Sequence, residues 1–390
     1  MFRLAKITFI LYICAHSFNV MYLKKLHIIN YRNISQADIS FCEGINCFVG
    51  QNGAGKTNLL DTIYYMSFCK SYFATADTQN IRHNEPFFVI QGDYIRGDNE
   101  LQIYSGVKRG SKKQFKCNKK EYPRLSEHIG LLPLVIVAPF DELLIAEGAE
   151  DRRKYIDGVI SQCDKVYLDN LVRYNRLMQQ RNALLKQLQD IEKPDFSVLD
   201  VYDIQMAQLG EIISQKRAQL IKWLAPYVSD IYQRLSSNKE TIDINYITGL
   251  QRYDLYQGLI DARPRDLVLG YTSRGIHKDD VEFLLGDYPM KRVGSQGQRK
   301  TFVIALKLAQ YHYLYAHNGV KPILLLDDVF DKLDKQRGDN LISLVADDMF
   351  DQIFITDTNA LHLSSVLEKT QKQYKIFEVD SGDVVETTLI

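Results

Sequence analysis

The chain has no surplus of either charge: 48 Lys and Arg balance 48 Asp and Glu over 390 residues. A net charge of zero rules out long-range attraction to a polyanion, so contact with DNA or a membrane has to rest on a local basic patch. Cysteine is scarce and carries no pattern. The six (Cys14, Cys42, Cys47, Cys69, Cys117 and Cys163) form no CxxC pair and no His/Cys cluster at zinc spacing. That argues against a zinc module and fits reduced thiols in a cytosolic protein. No apolar run is long enough to cross a bilayer as a helix. Internal repeats and low-complexity tracts are absent as well. What remains is an ordinary globular composition, 46% hydrophobic, able to bury a large core over two or three domains.

The first twenty residues stand apart. Arg3 and Lys6 precede an apolar run over 7–15, which is too short to span a membrane and lacks an A-x-A cleavage pattern. Met21 then opens strand-like alternation at once. Residues 1–20 are therefore expected to be an over-extended start, with a frayed extension as the alternative.

Alternation over 22–48 reads as half-buried strands, followed by a Gly-rich loop and a helix over 58–67 with Leu59, Leu60, Ile63 and Met66 on one face. Strands return over 87–107 around a turn at Gly97-Asp98-Asn99, and the apolar run 131–138 reads as a strand buried on both faces. From Glu150 to about Arg234 the chain turns polar and helical. A break at Lys193-Pro194-Asp195 divides it into a hairpin of two helices, with Pro226 near the end of the second. Further strands are expected over 241–247, 266–271, 281–285, 323–326 and 352–356, and a helix over 295–315. The fold class is α/β, interrupted by a helical insertion.

The loop Gly50-Gln51-Asn52-Gly53-Ala54-Gly55-Lys56-Thr57 fits GxxxxGK[ST]. Its backbone N–H groups and the helix that follows make an anion cradle for ATP. Lys56 is expected to reach the β- and γ-phosphates and the Thr57 hydroxyl to ligate Mg²⁺. Such a loop needs a carboxylate at the end of a second buried strand. Pro322-Ile323-Leu324-Leu325-Leu326-Asp327-Asp328 supplies it, with Asp327 expected on Mg²⁺ and Asp328 expected as the general base. Ser295-Gln296-Gly297-Gln298 opens the helix before that strand. It is an N-terminal cap with a capping box, and it can also receive an anion.

In this order, residues 50–57, 295–298, Asp327-Asp328 and Asp331-Lys332-Leu333-Asp334 resemble the Walker A, signature, Walker B and D-loop of ABC-type ATPases of the SMC, Rad50 and RecF branch. Within that branch the chain resembles the RecF family from Met21 onward. The marks are Ile29-Asn30-Tyr31-Arg32-Asn33, Thr57-Asn58-Leu59-Leu60, Glu150-Asp151-Arg152-Arg153-Lys154-Tyr155-Ile156-Asp157 and Arg274-Gly275-Ile276-His277-Lys278-Asp279-Asp280.

The resemblance implies an ABC-ATPase-like head from residues 21–145 and 263–390, with a helical arm domain over 146–262. It also implies an ATP-dependent head-to-head homodimer in which Ser295, Gln296, Gly297 and Gln298 of one copy meet the nucleotide of the other. Arg32 joins the nucleotide site on the same ground. Partners implied are DNA (a duplex or a single/double-strand junction) and RecR-like and RecO-like mediators, with no membrane. The activity implied is recombinational DNA repair and replication, with recombinase loading at gaps and support of the SOS response.

Two departures bear on hydrolysis. Asp328 stands where these ATPases usually have Glu, so hydrolysis is expected to be slow. Thr356 or Asp357 stands where a switch His is usual. His277 with Lys278, Asp279 and Asp280 has the residue types of a metal site or a catalytic pair and reads more readily as a surface salt-bridge cluster, while the RecF resemblance implies a structural or interface role for it. DNA contact is expected from Lys108, Arg109, Lys112, Lys113, Lys116, Lys119 and Lys120 around Phe115, a stretch that could equally be a solvated hairpin. Arg152 and Arg153 either join that contact or pair with Glu150 and Asp157. The competing readings are an ABC-transporter ATPase subunit and a dimer switch that binds ATP without hydrolysing it.

Overall fold

The computed structural model describes residues 20–192, 194–237, 240–331, 333–358, 367 and 372–387. The expectation for residues 1–20, Val20 apart, lies outside these residues, as do Lys193 of the helix break and Lys332 of the D-loop motif. In chain order the strands are β1 (Met21–Tyr31), β2 (Ile34–Ser40), β3 (Ile45–Val49), β4 (Phe87–Arg96), β5 (Asn99–Lys108), β6 (Gln114–Cys117), β7 (Lys120–Glu121) and β8 (Leu134–Val137). They continue as β9 (Ile242–Ile247), β10 (Asp280–Leu285), β11 (Tyr288–Pro289), β12 (Ile323–Leu326), β13 (Ile353–Asp357), β14 (Tyr374–Asp380) and β15 (Asp383–Thr387). The main helices are α1 (Lys56–Phe68), α2 (Ala149–Ser161), α3 (Lys165–Leu188), α4 (Ser197–Ser236), α5 (Leu255–Leu269), α6 (Gln296–Asn318) and α7 (Lys335–Val345).

The chain divides by compactness into two units, one running up to Pro139 and resuming at Gln310–Ile390, the other Phe140–Ala309. The arm expected at 146–262 follows helical character, whereas these bounds follow compactness. The first unit holds two six-stranded sheets. One is antiparallel in the order β2-β1-β4-β5-β6-β7; the other runs β15-β14-β3-β13-β12-β8, parallel except where β15 turns back on β14. Burial explains the difference. Every residue of β3, β8 and β12 is buried, as parallel strands covered on both faces require. β4 instead alternates buried and half-buried residues, as a sheet with one covered face does. The core between them holds Phe41, Phe48, Phe354 and Phe377, with Phe41 edge-on to Phe354 at 4.9 Å between centroids. Each such buried ring contributes about 1.5–3 kcal/mol.

The second unit is built on a helical hairpin. Asp164 caps α3 by accepting the Tyr167 N–H at 2.9 Å, and α3 then runs about 36 Å at the usual rise. Its partner α4 has 40 residues and does not stop at Pro226. Leu224, Val228, Ile231 and Leu235 are buried on one face across the proline, so packing outweighs the local break.

The strand expected over 266–271 is not there: α5 covers 255–269 and ends on Gly270 at a φ of 69°. Asp254 caps this helix by accepting the Gln257 N–H at 2.9 Å. Leu255, Leu259, Ala262 and Asp266 face inward at helical spacing, while Val268 is left 80% exposed. The apolar triplet Leu267-Val268-Leu269 mimicked a strand; the buried face it belongs to has a period of 3.6.

Asp266 is buried because Arg181 is. Arg181 lies wholly inside the unit, with Nε 2.6 Å from Asp203, Nη1 2.7 Å from Asp266 and a further bond to the Thr272 hydroxyl at 3.0 Å. Arg263 adds a second contact to Asp203 at 2.7 Å. These charges tie α3, α4 and α5 together. Removing one member strands the rest in a low-dielectric interior, so Arg181→Met is expected to destabilise this unit by about 3–5 kcal/mol. Urea unfolding followed by circular dichroism measures it, and an unchanged midpoint would contradict the role assigned to Arg181.

Candidate nucleotide-binding site

The loop expected to hold phosphate sits at the end of β3 and feeds α1. Gly55 has a φ of 120°, a region closed to L side chains, and a Cβ there would fall 2.8 Å from the Asn33 amide. Gly50 passes so close to β14 that a Cβ would lie 2.1 Å from the Val379 carbonyl. Lys56 is buried and folded over its own loop, donating to the carbonyls of Gly50 at 2.7 Å and Gln51 at 3.0 Å. The first N–H groups of α1 have no partner within the helix, and its positive end faces the loop.

Asp327 and Asp328 follow β12. The Thr57 hydroxyl lies 3.0 Å from both oxygens of Asp327, so the first turn of α1 and the end of β12 meet at this carboxylate. Thr356, at the end of β13, donates to Asp327 Oδ1 at 2.9 Å and accepts the Asp328 N–H at 2.9 Å. Burial pushes Asp327 up to about 6, and the neighbouring charge of Asp328 adds to this against the bonds from Thr356 and Thr57. A carboxylate and a hydroxyl meeting at one point, in a place where bare negative charge is unfavourable, are the donor set that a hard cation takes. The residues present therefore fit Mg²⁺ beside a phosphate loop.

A hydrogen-bonded frame backs the loop. The Asn33 side-chain NH₂ donates to the Ala54 carbonyl at 2.9 Å, and Asn58 donates to Asn33 at 2.7 Å. Arg32 donates to Asn58 at 3.1 Å, to Asn80 at 3.1 Å and to Ser71 at 3.3 Å, and pairs with Asp61 at 3.2 Å. Asp61 is fully buried and also accepts from Tyr31, Ser71 and the Tyr72 N–H at 2.6–2.8 Å. Sequence reading marks Arg32, Asn33 and Asn58 but misses Asp61, because a single Asp on an amphipathic helix carries no signal.

The signature segment lies in the second unit. Ser295 caps α6: the Gln298 N–H reaches its hydroxyl at 3.3 Å, and the Gln298 side chain accepts the Ser295 N–H at 2.7 Å. That is the expected capping box. Ser295 and Gln296 are exposed.

Three other sequence readings change. His277 and Asp279 are drawn inside rather than set in a surface salt-bridge cluster, and Asp280 alone keeps a part-exposed ion pair. The Asp279 carboxylate is buried and accepts from Tyr246 at 2.5 Å, with Arg217 at 3.5 Å. Arg152 forks onto Asp280 at 2.7 and 3.0 Å, Arg153 donates to the Asp279 carbonyl at 2.7 Å, and Asp157 pairs with Arg217 at 2.8 Å. The two arginines therefore serve this network, pairing with neither Glu150 nor Asp157 as the alternative had it. Within the basic hairpin, Lys113 is half-buried. It pairs with Asp77 at 2.7 Å and donates to the Cys69 carbonyl at 2.7 Å, while Phe115 belongs to the core. Lys108, Arg109, Lys112, Lys119 and Lys120 stay exposed.

A phosphate loop on a parallel sheet, a second strand ending in paired carboxylates and a capped signature helix define an ABC-type ATPase head. Comparison with known proteins narrows this. The model of the RecF/RecN/SMC N terminal domain matches residues 22–384. The chain is 51% identical over 367 residues to the DNA replication and repair protein RecF of Bacteroides fragilis, covering 94% of this chain and 98% of that one. Identity to the RecF protein of Flavobacterium johnsoniae is 44% over 359 residues, 92% of this chain and 100% of the relative. The solved structure of the recombination mediator protein RecF-ATP in the RecFOR pathway superposes with a TM-score of 0.83 at 30% identity, over 95% of this chain and all of that one. An Smc head domain from Pyrococcus furiosus shares the fold alone, with a TM-score of 0.56 at 16% identity. The chain belongs to the RecF family of DNA replication and repair proteins. The transporter-subunit reading is set aside, since these relatives are replication and repair proteins.

His277 gives a test of the network around the signature's unit. Burial lowers its ring to about 4, partly offset by its bond to the Thr272 carbonyl at 2.9 Å. An unfolded chain takes up that proton near the ordinary 6.5. The folded state is therefore penalised as pH falls from about 6.5 to 4, by up to about 3 kcal/mol. Wild-type stability should drop across that window and His277→Gln should flatten this part of the curve; parallel curves would contradict the assignment.

Proposed function

We propose that this chain binds ATP and Mg²⁺ at residues 50–57 and hydrolyses the nucleotide slowly, as the timer of a head-to-head homodimer on DNA. The observation that carries this is the meeting of Thr57 and Asp327 below a phosphate loop, in a chain half identical to DNA replication and repair proteins. The phosphates lie against the N–H groups of the loop and the Lys56 ammonium. Lys56 gives up its loop carbonyls to reach them. Thr57 and Asp327 would hold Mg²⁺, which when bound would supply charge neutralisation for the phosphates. Asp328 orients the attacking water and takes its proton. Its side chain is one carbon shorter than Glu, which places the base further from the water and slows the step. Arg32 completes the nucleotide shell through Asn58 and Asn33. Ser295, Gln296, Gly297 and Gln298 of a second copy close the site from the other side. The capped end of α6 turns N–H groups toward the γ-phosphate there.

The dimer acts in recombinational repair and replication, helping to place a recombinase at single-strand gaps and supporting the SOS response. It works with RecR-like and RecO-like mediators in the cytoplasm, at the nucleoid. The solved RecF-ATP structure and its RecFOR setting support this reading. Exposed lysines on the basic hairpin meet DNA phosphates without reading sequence.

In single-turnover assays, Lys56→Ala should lose ATP binding, and Asp328→Asn should keep binding while slowing hydrolysis by about 10²–10⁴-fold. Equal rates for wild type and Asp328→Asn would favour a switch that binds ATP without hydrolysing it. Reversing the charge of Lys112, Lys119 and Lys120, which leaves the Lys113–Asp77 pair intact, should weaken DNA binding. The salt slope should shrink by about 0.9 for each phosphate that the variant no longer neutralises. An unchanged slope would remove the hairpin from the DNA interface.

A further inference from the structure

We propose that Thr356 is a positioning residue for hydrolysis: its hydroxyl sets the backbone and the carboxylate of Asp328, in the place where related ATPases carry a switch histidine. This rests on the ATPase reading above. β13 runs parallel to β12 with Leu326 opposite Ile355. The next residue of each strand, Asp327 and Thr356, therefore come side by side at the strand ends. Thr356 is fully buried, so no solvent molecule competes for its hydroxyl.

The oxygen accepts the Asp328 N–H at 2.9 Å. That bond holds Asp328 at a φ of 45°, a left-handed conformation that residues other than Gly seldom adopt and that Asp tolerates better than most. The hydroxyl has one hydrogen to give and two carboxylates to receive it: Asp327 Oδ1 at 2.9 Å and Asp328 Oδ1 at 3.4 Å. Asp327 has a second donor in Thr57. Because Asp327 can accept from Thr57, the Thr356 hydrogen is able to pass to Asp328 Oδ1 and orient that carboxylate. Thr356 neither gains nor loses a proton in this role; it orients. The backbone carbonyl of Asp357, the other residue that the sequence left open for the switch, accepts the Gly50 N–H at 3.4 Å and so ties β13 to the start of the phosphate loop.

Thr356→Val keeps the volume and branching of the side chain and removes only the hydroxyl. It should bind ATP within about threefold of wild type while kcat falls by about 10–100-fold, because a misplaced base costs rate and leaves ground-state binding alone. Thr356→Ser should recover the rate to within about threefold, because it restores the donor and acceptor. Dimers held by ATP should outlive wild-type dimers in Thr356→Val after a chase that removes free nucleotide. Thr356→Ala carries the same expectation if the valine disturbs folding, as judged by ATP affinity. A Thr356→Val rate within about twofold of wild type would overturn the proposal, and so would a Thr356→Ser rate as low as that of the valine variant. Asp328→Asn in the same assay separates the two claims. If it hydrolyses at the wild-type rate, the general-base reading fails; if it is slow while Thr356→Val is not, only the role of Thr356 fails.

Discussion

The hydrogen bonds between Thr57 and Asp327 are the constraint on which the site depends. They join the first turn of α1 to the end of β12 through residues 270 positions apart, and in the sheet β13 lies between β12 and β3, the strand that leads into the loop before α1. The join is possible because β3, β13 and β12 are parallel and in register, so their carboxyl ends line up at one edge. Ligands of open α/β sheets gather at that edge. Asp327 is buried and Thr57 half-buried, and the Thr57 hydroxyl gives the buried carboxylate a hydrogen-bond donor. A carboxylate and a hydroxyl meeting there are the donor set that a hard cation takes. The frame of Arg32, Asn33, Asn58 and Asp61 supports the loop, so the cradle is held by side chains that themselves need no ligand.

Much of this was legible in the sequence, for a physical reason. The phosphate loop, the acidic strand and the capping box each demand particular residue types at fixed spacing, and the structure supplies the strand–loop–helix, the buried strand and the capped helix they call for. β8 and β12 announced themselves as apolar runs, whereas β3 read as a half-buried alternating strand although all five of its residues are buried, and β14 and β15 were not expected. What failed was local. The run Asp266–Tyr271 looked like a strand, because three apolar residues in a row do not reveal which period they belong to. Only the pairing of Asp266 with Arg181 and the exposure of Val268 identify the helix. Pro226 looked like an end because its local effect is strong. Burial on both sides of it carries α4 ten residues further.

Charged clusters were the least legible part. Arg152, Arg153, Asp279 and Asp280 read as surface groups, and Lys113 as a DNA contact, since sequence does not show which charges find partners inside. Asp279 lies under Tyr246 and Arg217, and Lys113 is held by Asp77. Lys116 is half-buried with its ammonium over the Tyr104 ring at 5.6 Å, which leaves the exposed Lys108, Lys112, Lys119 and Lys120 as the candidates for phosphate contact. Asp61 was invisible for the opposite reason: its function is to satisfy four donors, and none of them lies next to it in the sequence.

The proposed mechanism treats the loop as half of a site and assigns the other half to the signature of a second copy. Sedimentation velocity of the full chain with saturating ATP–Mg²⁺, set beside the nucleotide-free protein and a Ser295→Arg variant, tests this most directly. The account predicts a dimer for wild type with nucleotide, and monomers for the other two. A wild-type chain that stays monomeric at saturating ATP–Mg²⁺, or a Ser295→Arg variant that dimerises as well as wild type, would contradict it.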